Sequence, residues 1–375
     1  MAPRKKLKCY EEEIGFKKSP RDLGPVSMNN LSTNCLVDDT KLVRKIMAMS
    51  NSSEGVRTCV EVKKMKIDKK NIARVLSGRI TEVKFFPTKD TRMVAVGNNC
   101  GNVGFWNIDS DDEIYVYYPH SGIVSGISIH PYSLSKIITS CYDGFIRLLD
   151  VEKESFDLLY TSAYQVFSIC RPHDNMNSLF IGESYGSVGS LDIRSSNPNS
   201  MSWDLHAEQI YTIDFNSQNT NLMATSSKDG TACIWDLRKL AHLDPQPLKL
   251  VRHKDAVNSA YFSPSGNLLA TTSKDNNIGL ISGANYEVES MIYHSNKTPR
   301  FISSFRGIWG WDDSFIMVGN MKKGVDVICV EEKKLAYTMA DREINAIPCR
   351  FDAHPMLPGV LAISTAGGRV YVWDI

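Results

Sequence analysis

The sequence predicts an all-β protein that folds as a seven-bladed β-propeller behind a basic N-terminal segment. From residue 72 onward, short runs rich in Val, Ile, Tyr, Phe and Thr alternate with turns of Gly, Asn, Asp and Ser, a pattern typical of strands joined by tight turns. A strand that ends on an aromatic or aliphatic residue also recurs every 42 to 47 residues. These anchor residues are Trp106, Leu149, Leu191, Trp235, Ile281, Ile328 and Trp373.

The spacing of the anchors identifies the kind of propeller. Units of about 40–45 residues with four strands and Trp-Asp endings are typical of WD repeats. Four of the seven anchors, Leu149, Leu191, Trp235 and Trp373, are followed by Asp, and two of these are Trp-Asp pairs. Asp-Gly turns at residues 143–144 and 229–230 precede two of the anchors, and these residue types suit tight turns. Seven anchors therefore predict seven blades.

The Asp, His and Ser residues of the repeats have a structural explanation. In WD-repeat proteins a His, a Ser or Thr, the turn Asp and the Trp form a buried hydrogen-bonded set. We expect His253, Ser227, Asp229 and Trp235 to form that set here. No nucleophile elbow or phosphate-binding loop stands out beside them. The sequence therefore predicts a protein that is not an enzyme.

The last blade is predicted to take its outer strand from the other end of the propeller. Residues 373–375 follow directly on the third strand of blade seven, and residues 71–76 form a suitable run ahead of blade one. Closing the ring in this way removes an exposed sheet edge. We therefore expect a flexible basic arm at residues 1–71 and one propeller domain at residues 72–375, closed by a strand at residues 72–76.

Charge supports this division. Residues 1–71 carry 16 Lys and Arg against 9 Asp and Glu, whereas the rest of the chain has a net charge of −6. Residues 38–49 are predicted to form a short helix, because Leu42, Val43, Ile46 and Met49 share one face. Residues 3–8 form a basic cluster for which nuclear import, phosphate binding and a solvated tail are open alternatives.

Several classes of site and location are excluded. The nine cysteines are scattered without the spacing of zinc ligands, so we expect neither a metal site nor a disulfide scaffold, and no cofactor. No stretch approaches eighteen uncharged apolar residues, so no membrane association is expected. The basic start runs into acidic residues rather than an apolar segment and is not a secretory signal. We expect a protein that stays inside the cell.

Several segments resemble one family. Residues 77–83 and 94–106 resemble the opening blade of the damaged-DNA-binding WD-repeat family, residues 235–238 and 257–264 match its middle blades, and residues 294–313 match a later one. The resemblance covers the propeller and not residues 1–71. It implies a nuclear protein, with the cytoplasm as a second location, that binds DNA or chromatin in the DNA damage response.

The resemblance also implies where DNA would bind. In a WD-repeat propeller the loops between the second and third strands (b–c) and those between blades (d–a) share one face, the top face. Basic residues in these loops would neutralise phosphates, although loop charges that are merely solvated stay an alternative. The predicted DNA-binding residues are Arg79, Lys228, Lys254, Lys274, Arg300, Lys322 and Lys323. Residues 296–301 lack the aromatic-Gln-His triplet of the family's lesion wedge, and Gln209 replaces a family Lys, so we expect DNA contact without lesion flipping.

The opposite, bottom face carries two matching motifs. Asp192 and Arg194 in one blade correspond to Asp236 and Arg238 in the next. A pair of such Asp-x-Arg motifs resembles the double box of substrate receptors of cullin-4-type ubiquitin ligases. The resemblance implies that these four residues bind the ligase adaptor. The alternative is that each Arg pairs with its own Asp.

Two classes of function therefore stay open. The first is a nuclear DNA- or chromatin-binding protein with a role as a ubiquitin ligase substrate receptor. The second is a protein-interaction scaffold that binds a peptide or a histone tail without binding DNA, because propellers are generic binding platforms. Titration with duplex DNA at several salt concentrations separates them, since phosphate contacts weaken as salt rises.

Overall fold

A computed structural model describes residues 24–32, 39–50, 56–110, 114–195, 201–240, 244–299 and 302–375. Seven antiparallel sheets succeed one another along the chain, and the first strand of each contacts the first strand of the next. The first strand of the seventh sheet in turn contacts that of the first, so the sheets close into a ring. The predicted seven-bladed all-β propeller is confirmed.

The first three blades follow one pattern of four strands in sequence order. Blade 1 contains β3 to β6 at Ile80–Phe85, Met93–Asn98, Val103–Asn107 and Ile114–Tyr117. Blade 2 contains β7 to β10 at Val124–Ile129, Lys136–Cys141, Phe145–Asp150 and Ser155–Thr161. Blade 3 contains β11 to β14 at Val166–Cys170, Ser178–Glu183, Ser187–Asp192 and Met201–Asp204.

The remaining blades repeat this order. Blade 4 contains β15 to β18 at Ile210–Phe215, Leu222–Ser227, Thr231–Asp236 and Lys249–Arg252. Blade 5 contains β19 to β22 at Val257–Phe262, Leu269–Ser273, Asn277–Ser282 and Val288–Tyr293. Blade 6 contains β23 to β26 at Ile308–Trp309, Phe315–Gly319, Val325–Cys329 and Lys334–Met339. Blade 7 contains β27 to β29 at Pro348–Ala353, Leu361–Thr365 and Arg369–Asp374.

The core lies between neighbouring sheets. All seven anchor residues lie in third strands and are buried, which explains their spacing in the sequence. They pack into apolar clusters that join neighbouring blades. The Asp-Gly turns bring Gly144 and Gly230 to φ values of +87° and +86°, where a residue with a β-carbon is strained. The anchor residues therefore determine which strand ends are buried, and the Asp-Gly pairs determine the turns that precede those strands.

Blade 7 is completed by a strand from before blade 1. Strand β2, at Lys66–Arg74, pairs with β29 through Lys66 opposite Asp374 and Arg74 opposite Arg369. An irregularity between Ile67 and Ile72 interrupts the ladder. The strand thus begins earlier and ends earlier than residues 72–76, where the sequence placed it. Burial of Asn71, whose amide donates to Asp374 at 2.9 Å, holds the interrupted stretch against the blade.

The described parts of residues 1–71 pack against the propeller, which differs from the flexible arm expected from composition. Strand β1, Val26–Ser27, pairs with β10 and gives blade 2 a fifth strand. Helix α1, Met28–Leu31, follows it directly. Helix α2, Asp39–Met47, forms within the segment predicted to be helical and buries Leu42 and Ile46 in the same cluster as Phe105 and Phe156. A single 3-10 turn at Val62–Lys64 precedes β2. Residues 3–8 lie outside the described residues.

The buried hydrogen-bonded set of blade 4 differs in two members from the one predicted. His206 lies 3.1 Å from Asp229 and 2.7 Å from the Thr225 hydroxyl, and the Trp235 indole donates to Thr225 at 2.8 Å. His253 instead lies 3.1 Å from Asp275 of blade 5. The prediction of His253 and Ser227 was wrong because the His precedes the first strand of its own blade. His206 therefore belongs with Asp229.

Candidate nucleic-acid interface

Five of the predicted DNA-binding residues lie in loops of blades 4 to 6 on the top face. We call this group the basic arc; it consists of Lys228, Lys254, Lys274, Lys322 and Lys323. Short b–c turns hold four of them, and Lys254 lies in the d–a loop that leads to blade 5. Arg300 lies outside the described residues. The structure thus places the predicted loop lysines together on one side of one face.

The lysines of the basic arc differ in their availability. Lys228 is paired: its ammonium lies 2.5 Å from Glu208, and that hydrogen bond raises the pKa of Lys228. Lys254 is exposed, and its backbone N–H donates to the Asp275 carboxylate at 3.0 Å, which fixes the loop. Lys322 and Lys323 are exposed beside each other in a turn that Asn320 caps. In the described part of the chain, no carboxylate pairs with Lys254, Lys322 or Lys323, so these three ammonium groups are free to meet phosphates.

The blade hydrogen bonds engage the turn aspartates Asp229 and Asp275 of the arc, and both stay ionised. Although burial by itself disfavours the charged carboxylate, hydrogen bonds from the Lys254 amide and from His253 hold the pKa of Asp275 below its ordinary value. Asp229 is held in the same way by His206. Both carboxylates are directed inward at the His side chains and not at the solvent. These two aspartates therefore contribute little to the outer surface of the arc, where the ammonium groups lie beside the exposed acids Glu208 and Asp255.

The top loops of blades 2 and 3 have a different composition. They contain no Lys or Arg at residues 142–144, 162–165 and 184–186. They present Tyr164 and Tyr185, which are 49% and 65% exposed with ring centroids 4.9 Å apart. The positive charge of the top face is therefore asymmetric, with cations on blades 4 to 6 and aromatic groups on blades 2 and 3.

Arg79 lies apart from the basic arc. It directly precedes β3 of blade 1, and its backbone N–H donates to Asn99 at 2.9 Å. Its side chain is half-buried and lines the mouth of the central channel, and no described residue forms a hydrogen bond with its Nε. Arg79 is therefore placed to act on a group that enters the channel.

The central channel contains charged residues that the sequence analysis did not single out. In the upper cavity, the Arg306 guanidinium donates to Glu82 at 2.8 Å and to the Tyr211 carbonyl at 3.1 Å. Arg350 donates to the carbonyls of Thr81 at 2.8 Å and Ser304 at 2.7 Å. These contacts join first strands of different blades. Charged residues inside a first strand, such as Glu82 and Lys84 in β3, were the available sequence signal for the channel wall.

The lower half of the channel opens on the bottom face as a second cavity of about 420 Å³. Lys84 pairs with Asp352 at 2.9 Å across the junction of blades 1 and 7. Burial raises the pKa of Asp214 to about 7 and lowers that of Arg171 to about 10. Arg306 and Glu82 line both cavities, so their ion pair lies at the level where the two halves of the channel meet.

The two Asp-x-Arg motifs lie on the bottom face and have the same geometry. Arg194 donates to Asp192 through Nε at 3.1 Å and through a terminal nitrogen at 2.8 Å. Arg238 donates to Asp236 at 2.9 and 2.8 Å. These hydrogen bonds lower the pKa of each aspartate to about 2. Each Arg thus pairs with its own Asp, as the alternative interpretation required, while its side chain is 68% or 61% exposed.

One group of side chains in blade 2 has the composition of a metal site. The ligand atoms of His120, Cys141 and Asp143 lie within 4.8 Å of one another. Both ring nitrogens of His120 already have partners, Asp143 at 3.3 Å and the Thr139 hydroxyl at 2.9 Å. This is the hydrogen-bonded set of blade 2, equivalent to His206 and Asp229 in blade 4. The blade structure accounts for the cluster.

In the described part of the chain, no helix is long and apolar enough to cross a bilayer.

Comparisons with known proteins identify the repeats. The family model "WD domain, G-beta repeat" matches residues 111–150, 198–236 and 246–282. These segments fall in blades 1 and 2, 3 and 4, and 4 and 5. The chain thus contains WD40 repeats, and a WD40 propeller is a fold more typical of binding proteins than of enzymes.

Curated relatives extend the similarity to almost the whole chain. WD repeat-containing protein 76 of Xenopus laevis is 26% identical over 381 residues, which cover 93% of this chain and 64% of the frog protein. The Mus musculus protein of the same name is 28% identical over 82% of this chain and 51% of its own length. DNA damage-binding protein cmr1 of Neurospora crassa is 27% identical over 81% of this chain and 66% of its own. The chain spans about half to two thirds of these relatives, and the resemblance stated from the sequence is confirmed.

Proposed function

We propose that this WD40-repeat propeller, which is similar to proteins named for DNA damage binding, binds duplex DNA in the nucleus through the basic arc. In this proposal the protein takes part in the DNA damage response as a DNA- or chromatin-binding protein and not as an enzyme. The observation that carries the proposal is the placement of Lys254, Lys322 and Lys323 on one side of the top face, as three exposed ammonium groups that pair with no carboxylate among the described residues.

Elementary electrostatics supports contact with phosphates. A duplex presents phosphates in rows, and each phosphate that a Lys or Arg neutralises releases condensed counterions. The backbone N–H groups of Lys322 and Lys254 donate to the side chains of Asn320 and Asp275, so these loops need little ordering on binding. An ammonium group contacts a phosphate as a point charge, and such contacts fix position without reading the base sequence. We therefore expect affinity that depends steeply on salt and weakly on sequence.

A charge-reversal experiment tests the arc. We would titrate the full chain with a fluorescent duplex at several salt concentrations, and compare it with a variant in which Lys254, Lys322 and Lys323 are changed to Glu. Each phosphate that the variant no longer neutralises should lower the slope of log affinity against log salt by about 0.9, and the variant should bind more weakly. The matched control reverses three exposed lysines on the bottom face: Lys239, Lys333 and Lys334.

The outcomes of this experiment are distinct. Unchanged affinity in the top-face variant, or an equal loss in the bottom-face control, would refute binding through the arc. An absence of DNA binding at low salt would favour the other function class, a scaffold that binds a peptide or a histone tail. Melting temperatures should change little in either variant, because exposed charges away from special contacts seldom alter stability.

The repeated geometry of the Asp-x-Arg motifs favours a second role as substrate receptor of a cullin-4-type ubiquitin ligase. Each aspartate holds its arginine in a fixed orientation, so Arg194 and Arg238 lose little conformational entropy on binding. The hydrogen bonds to Asp192 and Asp236 use Nε and one terminal nitrogen, which leaves further N–H donors for a partner. Recovery of the ligase adaptor with the chain, and its loss in arginine variants, is the test.

A further inference from the structure

The upper half of the central channel is a cavity that none of the functions above uses. It has a volume of about 230 Å³ and opens on the top face, because it is lined by the starts of first strands and by the residues before them. This is several times the roughly 30 Å³ that a water molecule occupies in the liquid. The cavity therefore has room for a charged head group and part of its stem.

The wall carries more positive than negative charge. Among the described residues that line it, Arg79, Arg306 and Arg350 are cationic and Glu82 is the one carboxylate. Glu82 lies 2.8 Å from Arg306 and 3.9 Å from Arg350, so one carboxylate faces two guanidinium groups. The side chains of Arg306 and Arg350 are only 14% and 12% exposed. Burial and the neighbouring Arg306 charge lower the pKa of Arg350 to about 10.

Two further groups in the wall have hydrogen-bonding capacity that is unused. Asn258, at the start of β19, is 2% exposed, and among the described residues neither its amide nitrogen nor its amide oxygen has a hydrogen-bond partner. The Nε of Arg79 is buried and also has none. Buried polar groups are nearly always hydrogen-bonded, and exceptions in a folded protein call for an explanation. A ligand in the cavity would supply the missing partners.

The shape of the site favours a thin ligand over a duplex. Arg306 and Arg350 are recessed below the rim, whereas duplex phosphates lie on the surface of a wide cylinder and would meet the loops first. One part of the wall consists of Ile123, Val124, Ile302 and the rings of Tyr142 and Phe167, which are 4.3 Å apart; the other residues of the wall are Thr81, Ser125, Tyr211, Ser303 and Ser304. Such a wall packs well against the methylene stem of a side chain.

We propose that the upper cavity binds the anionic head of one peptide side chain, a phosphorylated serine or a carboxylate, inserted from the top face. The head would accept hydrogen bonds from Arg79 and Arg350 and from the Asn258 amide. The stem would lie against the apolar wall. This peptide site is separate from the basic arc, because the arc lies in the outer loops and the cavity on the channel axis.

Three labelled heptapeptides that differ only at the central position test the proposal with the full chain. The central residue is phosphoserine, glutamate or serine, and binding is followed by fluorescence anisotropy. An anionic peptide should bind at least about tenfold more tightly than the serine peptide, and inorganic phosphate should compete. The comparison of phosphoserine with glutamate identifies which anion the site prefers.

Variants of the wall locate the binding. Asn258→Ala should weaken binding of the preferred peptide by about tenfold. The melting temperature should stay unchanged, because the Asn258 amide has no hydrogen-bond partner among the described residues. Arg350→Met should weaken it as well. Since Arg350 also bonds backbone carbonyls, Arg79→Ala serves in its place if that variant does not fold. The matched control is Lys254→Glu in the basic arc, which should leave peptide affinity unchanged.

Two results would overturn the proposal. Equal affinities for all three peptides would show that the cavity does not recognise an anion. A duplex that displaces the peptide and that loses affinity to the same degree in Asn258→Ala would assign the cavity to DNA instead. Peptide binding that persists when DNA binding has failed, or the reverse, distinguishes this site from the function proposed for the basic arc.

Discussion

Replacing Leu42 with Ala tests whether helix α2 belongs to the folded domain. Leu42 is fully buried, in a cluster that also contains Met28, Phe105 and Phe156 of three different segments. A buried Leu changed to Ala loses transfer free energy and leaves a cavity, at a cost of about 2–5 kcal/mol. The same change in a detached arm would cost almost nothing.

The loss of stability in Leu42→Ala cannot exceed the free energy that docking of α2 contributes. A helix of nine residues is not stable alone in water, so α2 forms because of its packing. If the substitution costs more than docking contributes, the helix will detach while the propeller stays folded. The free energy of unfolding then falls by the docking energy alone. The Tyr117 hydroxyl, which donates to Asp39 at 2.8 Å, would lose that partner.

Urea unfolding and limited proteolysis report the two effects. Leu42→Ala should lower the free energy of unfolding, or make α2 accessible to protease, whereas Met47→Ala should do neither. Met47 is the matched control because it lies on the same helix and is 51% exposed. If the two variants have the same stability and the same cleavage pattern, the packing of α2 on blades 1 and 2 contributes nothing, and the reasoning fails.

Three further predictions concern stability and the bottom face. Although burial opposes the shift, hydrogen bonding with His120 lowers the pKa of Asp143 from 3.8 to about 2. The contribution of Asp143 to stability is therefore present above pH 4 and lost as the pH falls towards 2. Urea titrations at several pH values should show that the stability of Asp143→Asn depends less on acid pH. Deleting Lys66–Arg74 should lower the melting temperature more than deleting the chain before residue 24, because only the first deletion opens the ring at β29. Arg238→Ala should abolish capture of the ligase adaptor in a pull-down at unchanged DNA affinity, with a loss of about 2 kcal/mol or more. Arg238→Lys should fail similarly, because an ammonium cannot keep the bidentate contact, and full recovery with both Arg238→Ala and Arg194→Ala would refute the adaptor site.

The blade pattern was predictable because it is local. Each anchor, such as Trp235, ends a strand that pairs with the strand before it in the chain. A buried anchor therefore recurs once in every blade. The Asp-Gly turns are equally local. The hydrogen-bond partner of His206 was not predictable from local sequence, because a His between two blades lies close in sequence to the turn aspartates of both blades. Only the three-dimensional arrangement assigns His206 to Asp229 and His253 to Asp275.

The N-terminal contacts and the channel were not predictable from local pattern. The apolar residues of the N-terminal segment are few and show no sustained hydrophobic periodicity, so composition suggested a flexible arm. Val26, Met28 and Leu31 are nevertheless buried, because the residues that they contact come from blades 1 and 2. Arg306 and Arg350 both approach Glu82, although the three residues belong to three different blades. Loop lysines such as Lys322 were placed correctly on the top face, since the fold dictates that position, but the pairing of Lys228 with Glu208 was not visible in the sequence.

The arrangement of charges allows the proposed sites to be occupied together. The basic arc lies in top loops, and Arg194 and Arg238 lie beyond the ends of third strands on the opposite face. Between them the channel is divided at the level of Arg306 and Glu82, whose hydrogen bond joins blades 6 and 1. An anion in the upper cavity would offset the surplus charge of Arg350 and would leave the bottom loops untouched. A partner on the bottom face therefore needs no change in the top face to bind, and the adaptor should associate independently of DNA and of the peptide.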